Sequence, residues 1–313
     1  MYNYIVLERL NAPTYKHLTY PWFQERLDTL LSPELTNIAI GVAVQGQPVG
    51  LVLAEYLPNQ NQANMLSLMV AQEHRQRGIG TALLMQIEEI LKEYSCQKLD
   101  ILYKLNLTTP ILERMLKQQN WVPASFYSLQ CLTNRETINQ APFLHRYTLP
   151  KKFTIFPWVE LTAQERTEIE QRDNGLNYPD ELCPFKEDRI EALSSVGLRY
   201  REEVVGWSIV QRMMPNCVIY KSLFVKQEFR STALGVHLLA ASINRQLTDE
   251  KVTDSMFFVL KNNTPMVRFL NRRLAPYLTA INVFWKSSKL LQVPTVIERK
   301  RSLSHSSRKL DNA

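Results

Sequence analysis

The chain of 313 residues has no apolar run approaching the roughly 18 residues that a membrane-spanning helix needs. Its first apolar stretch contains Glu8 and Arg9, so it does not read as a secretory leader. These two absences give the expectation of a cytoplasmic protein. The four cysteines, Cys96, Cys131, Cys183 and Cys217, are widely spaced and no pair has metal-ligand spacing. A chain of this length does not need disulfides, so reduced thiols and no metal site are expected. Cys183, in an expected loop, is the only one with a claim to reactivity. A strong nucleic-acid footprint is also missing. The net charge is +7, but from residue 286 onward seven basic residues face two acidic ones, a local +5 that leaves about +2 for the body. The basic end, residues 295–313, is expected to be a disordered tail.

Against this background one stretch stands out, Leu68 to Leu84. It opens apolar, as a buried strand ends. It then becomes polar through Arg75-Gln76-Arg77, and Gly78 and Gly80 frame Ile79. An amphipathic helix follows, with Leu83, Leu84, Ile87, Leu91 and Tyr94 expected inside and Glu88, Glu89, Lys92 and Glu93 outside. A strand, a glycine turn and a helix start suit phosphate: the first helical N–H groups have no partner, and glycine lets a ligand approach the backbone. No Gly-Lys-Ser/Thr follows, which excludes a Walker A loop, and the third glycine of the dinucleotide fingerprint is missing.

The stretch has a second copy. Residues 223–239 repeat its Leu, Val, Gln, Glu, Arg, Gly, Leu and Leu in register. Thr109-Pro110 matches Thr264-Pro265 in the same register, and Val49-Gly50 matches Val205-Gly206 with a shift of one. Three matches in one order argue for an internal duplication of about half the chain. In the second copy Ala233 stands where the first glycine should be.

Arg75-Gln76-Arg77-Gly78-Ile79-Gly80 resembles the acetyl-CoA signature of the GNAT superfamily of N-acetyltransferases, Gln/Arg-x-x-Gly-x-Gly/Ala after a strand. The chain as a whole resembles a tandem pair of such domains. The resemblance implies an α/β (α+β) fold of two GNAT-like domains, each a mixed, mostly antiparallel sheet flanked by helices. Residues 1–147 would carry the complete signature and residues 148–294 the degenerate one. It further implies acetyl-CoA as co-substrate, held by the backbone of Met69 and Val70, by the turn Arg75, Gln76, Arg77, Gly78, Ile79, Gly80 and Thr81, and by Asn106. The acceptor would be a small-molecule amine or a peptide, with nucleic acid and membrane not implied. The oligomeric state stays open.

In order, strands are expected at 4–10, 37–44, 49–56, 65–70, 98–103 and 121–132, and helices at 14–32, after Gly80, and from Pro110. The tyrosines and tryptophan of the segment 14–32 read as core, or as the wall of an acceptor site. Residues 133–150 look like a linker. The second half repeats the plan, with a capping box at Thr162 and Glu165. Acyl transfer from a thioester to an amine needs a proton acceptor for the amine, and the leaving thiolate needs a proton. Many family members carry a tyrosine for the latter in the helix after the Asn106 position; here that helix shows Met115 and Leu116. Tyr103, on the preceding strand, is the substitute acid candidate and Glu55 the base candidate. Each also fits an ordinary strand position. Glu73 recurs as Glu228, which a turn alone explains. His74, replaced by Phe229 in the copy, reads as a surface residue. Ser231 and Thr232 are candidate hydroxyl donors in the second copy. A non-catalytic acyl-CoA sensor or scaffold is the competing reading.

Overall fold

The computed structural model describes residues 1–30, 36–146, 148–172, 176–185 and 189–292, without the Ser231 side chain. The expected basic tail, 295–313, and the Ser231 hydroxyl lie outside the described residues. The chain is mixed α/β, with mostly antiparallel sheet, and separates into two compact units. One comprises Met1–Phe126 and the described residues from Phe284; the other is Tyr127–Val283.

The first unit begins with β1 (Asn3–Val6), β2 (Thr36–Val44), β3 (Gln47–Leu57) and β4 (Gln62–Val70), all antiparallel neighbours in turn. Helix α1 (Ile79–Glu93) follows, then β5 (Lys98–Lys104), parallel to β4, and α2 (Thr109–Gln118). Alternating strand residues serve two cores, because successive side chains point to opposite faces. Val52 and Ala54 of β3 and Met65, Leu68 and Val70 of β4 meet Leu83, Leu84, Ile87 and Leu91 of α1. Leu51, Leu53, Leu66 and Met69 meet Tyr15, Leu18 and Leu27 from two 3-10 segments, Ala12–Leu18 and Pro21–Leu27. The aromatic segment therefore divides: Tyr15 is core, whereas Tyr20 and Trp22 are exposed and stack at 5.0 Å.

The second unit contains β6 (Ser125–Asn134), α3 (Arg135–Asn139), β7 (Phe153–Pro157), α4 (Ala163–Gln171), β8 (Val196–Tyr200), β9 (Glu203–Met214) and β10 (Cys217–Val225). Then come α5 (Leu234–Gln246), β11 (Asp254–Leu260), α6 (Thr264–Phe269) and β12 (Ala280–Leu290), whose residues from Phe284 belong to the first unit. Strands β7 to β10 form an antiparallel run, and β11 joins β10 in parallel. The expected capping box is present: Thr162 Oγ1 accepts from Glu165 N–H at 3.2 Å, and a Glu165 carboxylate oxygen accepts from Thr162 N–H at 2.8 Å.

The units are not the expected halves 1–147 and 148–294. Strand β6, expected to close the first half, pairs antiparallel with β11 from Ser128↔Leu260 to Asn134↔Asp254. The strand beside β5 is instead the end of β12, from Phe284↔Lys104 to Leu290↔Lys98. Charge specifies this exchange. Lys286 Nζ lies 2.6 Å from Asp100 Oδ2, Ser288 Oγ donates to Asp100 Oδ1 at 2.6 Å, and Lys289 pairs with Glu88. Residues 133–150 are not a bare linker either, since they include α3, capped by Asn134, and the buried Phe143 and Leu144.

One further correction concerns Glu88. The amphipathic pattern placed it on the outer face, yet it is buried, accepting from Trp121 Nε1 at 2.9 Å and pairing with Lys289. Leu84, Ile87, Glu88 and Leu91 follow the i, i+3, i+4, i+7 spacing of one helical stripe, so geometry puts Glu88 inside. Tyr94, expected inside, is 41% exposed beyond the helix end.

Candidate active site

The site is built at the end of β4. Opposite Leu53 and Ala54, β4 presents Ser67 and Met65, so Leu66 is an extra, bulged residue. The parallel ladder to β5 stops at Met65↔Ile101. Past that point β4 carries Ser67 to Val70 with no ladder partner on the β5 side among the described residues, and the strand edge is available to a bound chain. The expected contacts Met69 and Val70 lie on this segment.

After β4, Ala71 N–H donates to Val49 O at 2.8 Å and a short 3-10 turn spans Gln72–His74. Arg75 Nε then donates back to Val70 O at 2.9 Å, tying the turn to the strand end. Gln76 and Gly78 both have positive φ, 58° and 79°, and together they reverse the chain into α1. A Cβ placed on Gly78 would meet nothing within 4 Å, so the space above this residue is open. Gly80 faces the other way: a Cβ there would lie 3.5 Å from Met115 Sδ on α2. The first intrahelical bond runs from Ala82 N–H to Gly78 O at 3.0 Å, which leaves the N–H groups of Ile79, Gly80 and Thr81 without a helical acceptor. Arg77 donates to Tyr2 Oη at 3.1 Å. Free amides, an open approach at Gly78 and two guanidinium groups suit a diphosphate.

His74 is half-buried, contrary to its reading as a surface residue. Its ring meets Tyr2 edge-on at 5.9 Å, and its Nδ1 is 3.2 Å from Tyr2 Oη. Asn106 Oδ1 accepts from Thr108 N–H at 2.9 Å and from Thr108 Oγ1 at 2.8 Å, which shapes the loop entering α2.

Tyr103 lies on β5 two residues past the end of the parallel ladder, at the level of the opening. It is buried on the face of α1 and α2, and its hydroxyl donates to Glu113 Oε1 at 3.0 Å. Burial, then the hydrogen bond and charge of Glu113, push its pKa well up, so it keeps its proton at neutral pH. Glu55 is placed differently. It sits opposite Asn64, toward the start of β4, on the face of the 3-10 segments, with Arg26 at 3.3 Å. The structure thus brings Tyr103 to the opening and holds Glu55 in an ion pair. Sequence reasoning missed Trp285, the cross-strand neighbour of Tyr103, whose buried Nε1 has no partner among the described residues. It lies far along the chain, so only the strand exchange reveals it.

The second copy has the same construction. Strand β10 bulges at Lys221, and its ladder to β11 stops at Tyr220↔Phe257. Lys226 N–H donates to Val205 O at 2.8 Å, and Arg230 Nε to Val225 O at 2.9 Å. Phe153 and Phe229 repeat the edge-on contact of Tyr2 and His74 at 5.3 Å. Ala233 occupies the left-handed position of Gly78 with φ 58°. The helix start differs: Val236 N–H is already bonded to Ala233 O at 2.9 Å. The ring of His237 reaches Ala233 O at 2.9 Å and Thr148 O at 3.2 Å. The Thr232 hydroxyl, a candidate donor, is used within the turn, on Phe229 O at 2.6 Å.

No curated protein matches the chain by sequence. A family model described as "Acetyltransferase (GNAT) family" matches residues 4–109, which span the complete turn. Among solved structures, a tandem GNAT protein from the clavulanic acid biosynthesis pathway is similar over 94% of this chain and 100% of its own, with TM-score 0.68 and 16% identity. A GCN5-related N-acetyltransferase from Sphaerobacter thermophilus is similar over 94% of this chain and 97% of its own, with TM-score 0.65 and 14% identity. At such identities these two likenesses establish the fold. Residues 4–109 are thus similar to the GNAT acetyltransferase family, and over nearly its whole length the chain has the tandem GNAT fold.

Proposed function

We propose that the chain is an acetyl-CoA-dependent N-acetyltransferase that uses the first copy of the turn. The observation that carries this is the start of α1, where Gly78 opens the approach to three amides without helical acceptors. In this reading Arg75, Gln76, Arg77, Gly78, Ile79, Gly80 and Thr81 hold the diphosphate, and the free edge of Met69 and Val70 pairs with the pantetheine arm as an added strand. Asn106 lines the far wall. The thioester then lies in the opening between β4 and β5. Holding it beside an amine supplies much of the rate, since good orientation is worth roughly 7–11 kcal/mol.

Tyr103 is the candidate acid for the departing thiolate, because its hydroxyl lies at the level of the opening. The unpartnered N–H of Trp285 is a donor for a carbonyl on the same side. Glu55 serves as base only if Arg26 releases it. That ion pair, with Met115 and Leu116 in α2, favours a second reading, a non-catalytic acyl-CoA binder. Thiol release from acetyl-CoA across a panel of small amines and peptide N-termini separates the two. Turnover with at least one acceptor is expected; tight binding without turnover supports the binder. With an acceptor in hand, Tyr103→Phe is expected to lower kcat about a hundredfold, the lower range for a lost general acid, with KM for acetyl-CoA little changed. A kcat near wild type removes Tyr103 from the mechanism.

A further inference from the structure

The second unit holds a cavity remote in sequence from either turn. It measures about 380 Å3 and is lined by Pro142, Phe143, Arg146, Arg272, Arg273, Pro276 and Tyr277. That volume falls within the range of small-molecule sites. We propose that it is a binding site for a compact polyanion carrying two or three phosphate or carboxylate groups.

Three features support this. First, three of the seven lining residues are arginines, and no acidic residue lines the cavity. Among the described residues, none of the three has an ion pair or a hydrogen bond from its side chain. Guanidinium groups of one sign gathered around one volume raise the local concentration of anions there. Arginine is also the side chain suited to bidentate grip on phosphate or carboxylate. Second, the scaffold is firm where it needs to be. Phe143 is buried and meets Phe269 edge-on at 6.1 Å, and Tyr277 O accepts from Thr133 Oγ1 at 2.6 Å. Third, Arg272 and Arg273 come from Leu270–Leu274, where α6 widens into a π-helix. Neighbours on a regular α-helix point about 100° apart, yet both line this one cavity. Such π segments occur frequently at functional sites.

Calorimetry of the full chain in about 0.1 M salt tests the proposal, with inorganic pyrophosphate and citrate as separate probes. The titrations are repeated on Gly78→Glu, so that any pyrophosphate held at the first turn is recognised. One saturable event that persists in Gly78→Glu is expected. Arg272→Ala and Arg273→Ala are each expected to weaken it about tenfold, and Arg272→Lys/Arg273→Lys to weaken it as well, because lysine loses the planar fork. The stronger probe identifies the anion class. The proposal is overturned if neither probe binds, if binding disappears in Gly78→Glu, or if the alanine variants keep full affinity. It is equally overturned if the lysine pair binds as wild type, which indicates diffuse attraction. The arginines are exposed, so thermal unfolding of each variant should match wild type and exclude misfolding.

Discussion

The turn before α1 and the turn before α5 share a bulged strand, an arginine tied to the strand end, a ring-on-ring contact and a left-handed residue at the helix start. They differ in what happens next. In the first, the space over Gly78 is open and the helix leaves Ile79, Gly80 and Thr81 amides without helical acceptors. In the second, a methyl group occupies the left-handed position, Val236 N–H is bonded within the turn, and His237 reaches both Ala233 and Thr148. A duplicated backbone can therefore persist while a few local bonds take up the groups that stay open in the other copy.

The sharpest way to break this contrast is Gly78→Glu. A carboxylate projecting into the diphosphate position adds like charge as well as bulk, and a side chain at φ 79° is strained. Acetyl-CoA binding by the whole chain is expected to vanish in calorimetry. One retained site would mean that the second turn binds cofactor.

The helices behind the two turns differ too. Continuing the register, Glu88 of α1 corresponds to Ile243 of α5, which lies in an apolar core. Lys289→Met would leave the Glu88 carboxylate buried with only the Trp121 N–H, at a cost of about 3–5 kcal/mol. Glu88→Ile/Lys289→Met, which imitates the second unit, should recover most of that loss, since apolar replacement of a whole buried pair is often near neutral. Denaturant unfolding checks both. A double variant as unstable as the single one would show that the two helices are not interchangeable at this position.

Asp100 gives the same contrast a pH dependence. Burial raises its pKa, but hydrogen bonds from Lys286, Ser288 and Lys98, with the Lys286 charge, outweigh this and hold it below the usual carboxylate range. Its contribution is therefore fully present above the unfolded value, about pH 4, and is lost as pH falls through the lower folded value. Asp100→Asn is expected to cost about 2 kcal/mol at neutral pH and to flatten the acid limb of the stability curve below about pH 4. An unchanged acid limb would remove this carboxylate as the link between β5 and β12.

Much of this organisation is visible in the residues themselves. Gly78 marks the first turn because a left-handed helix start leaves few choices, and Thr162 with Glu165 marks the start of α4 because the capping box is local. What is not visible depends on distant partners. Whether Glu88 is inside depends on Lys289, and whether β6 or β12 lies beside β5 depends on Asp100 meeting Lys286 and Ser288. Strand patterning alone reports that a strand exists, not which neighbour it takes. By sequence Glu55 is a base candidate and Tyr103 an acid candidate, each also fitting an ordinary strand position; the parallel ladder ending at Ile101 and the ion pair to Arg26 place them differently.

The smallest expected effect is the most informative about the second copy. Ala233→Gly relieves a left-handed alanine, a strain of about 1 kcal/mol, but gives the unfolded chain more freedom, which offsets about half or more of that. Stability should rise by only a few tenths of a kcal/mol. Acetyl-CoA stoichiometry should stay at one, because Val236 N–H remains bonded and His237 still bridges to Thr148. If calorimetry instead finds two sites, the methyl group alone closed the second turn, and the hydrogen bonds around it are bystanders that a ligand displaces.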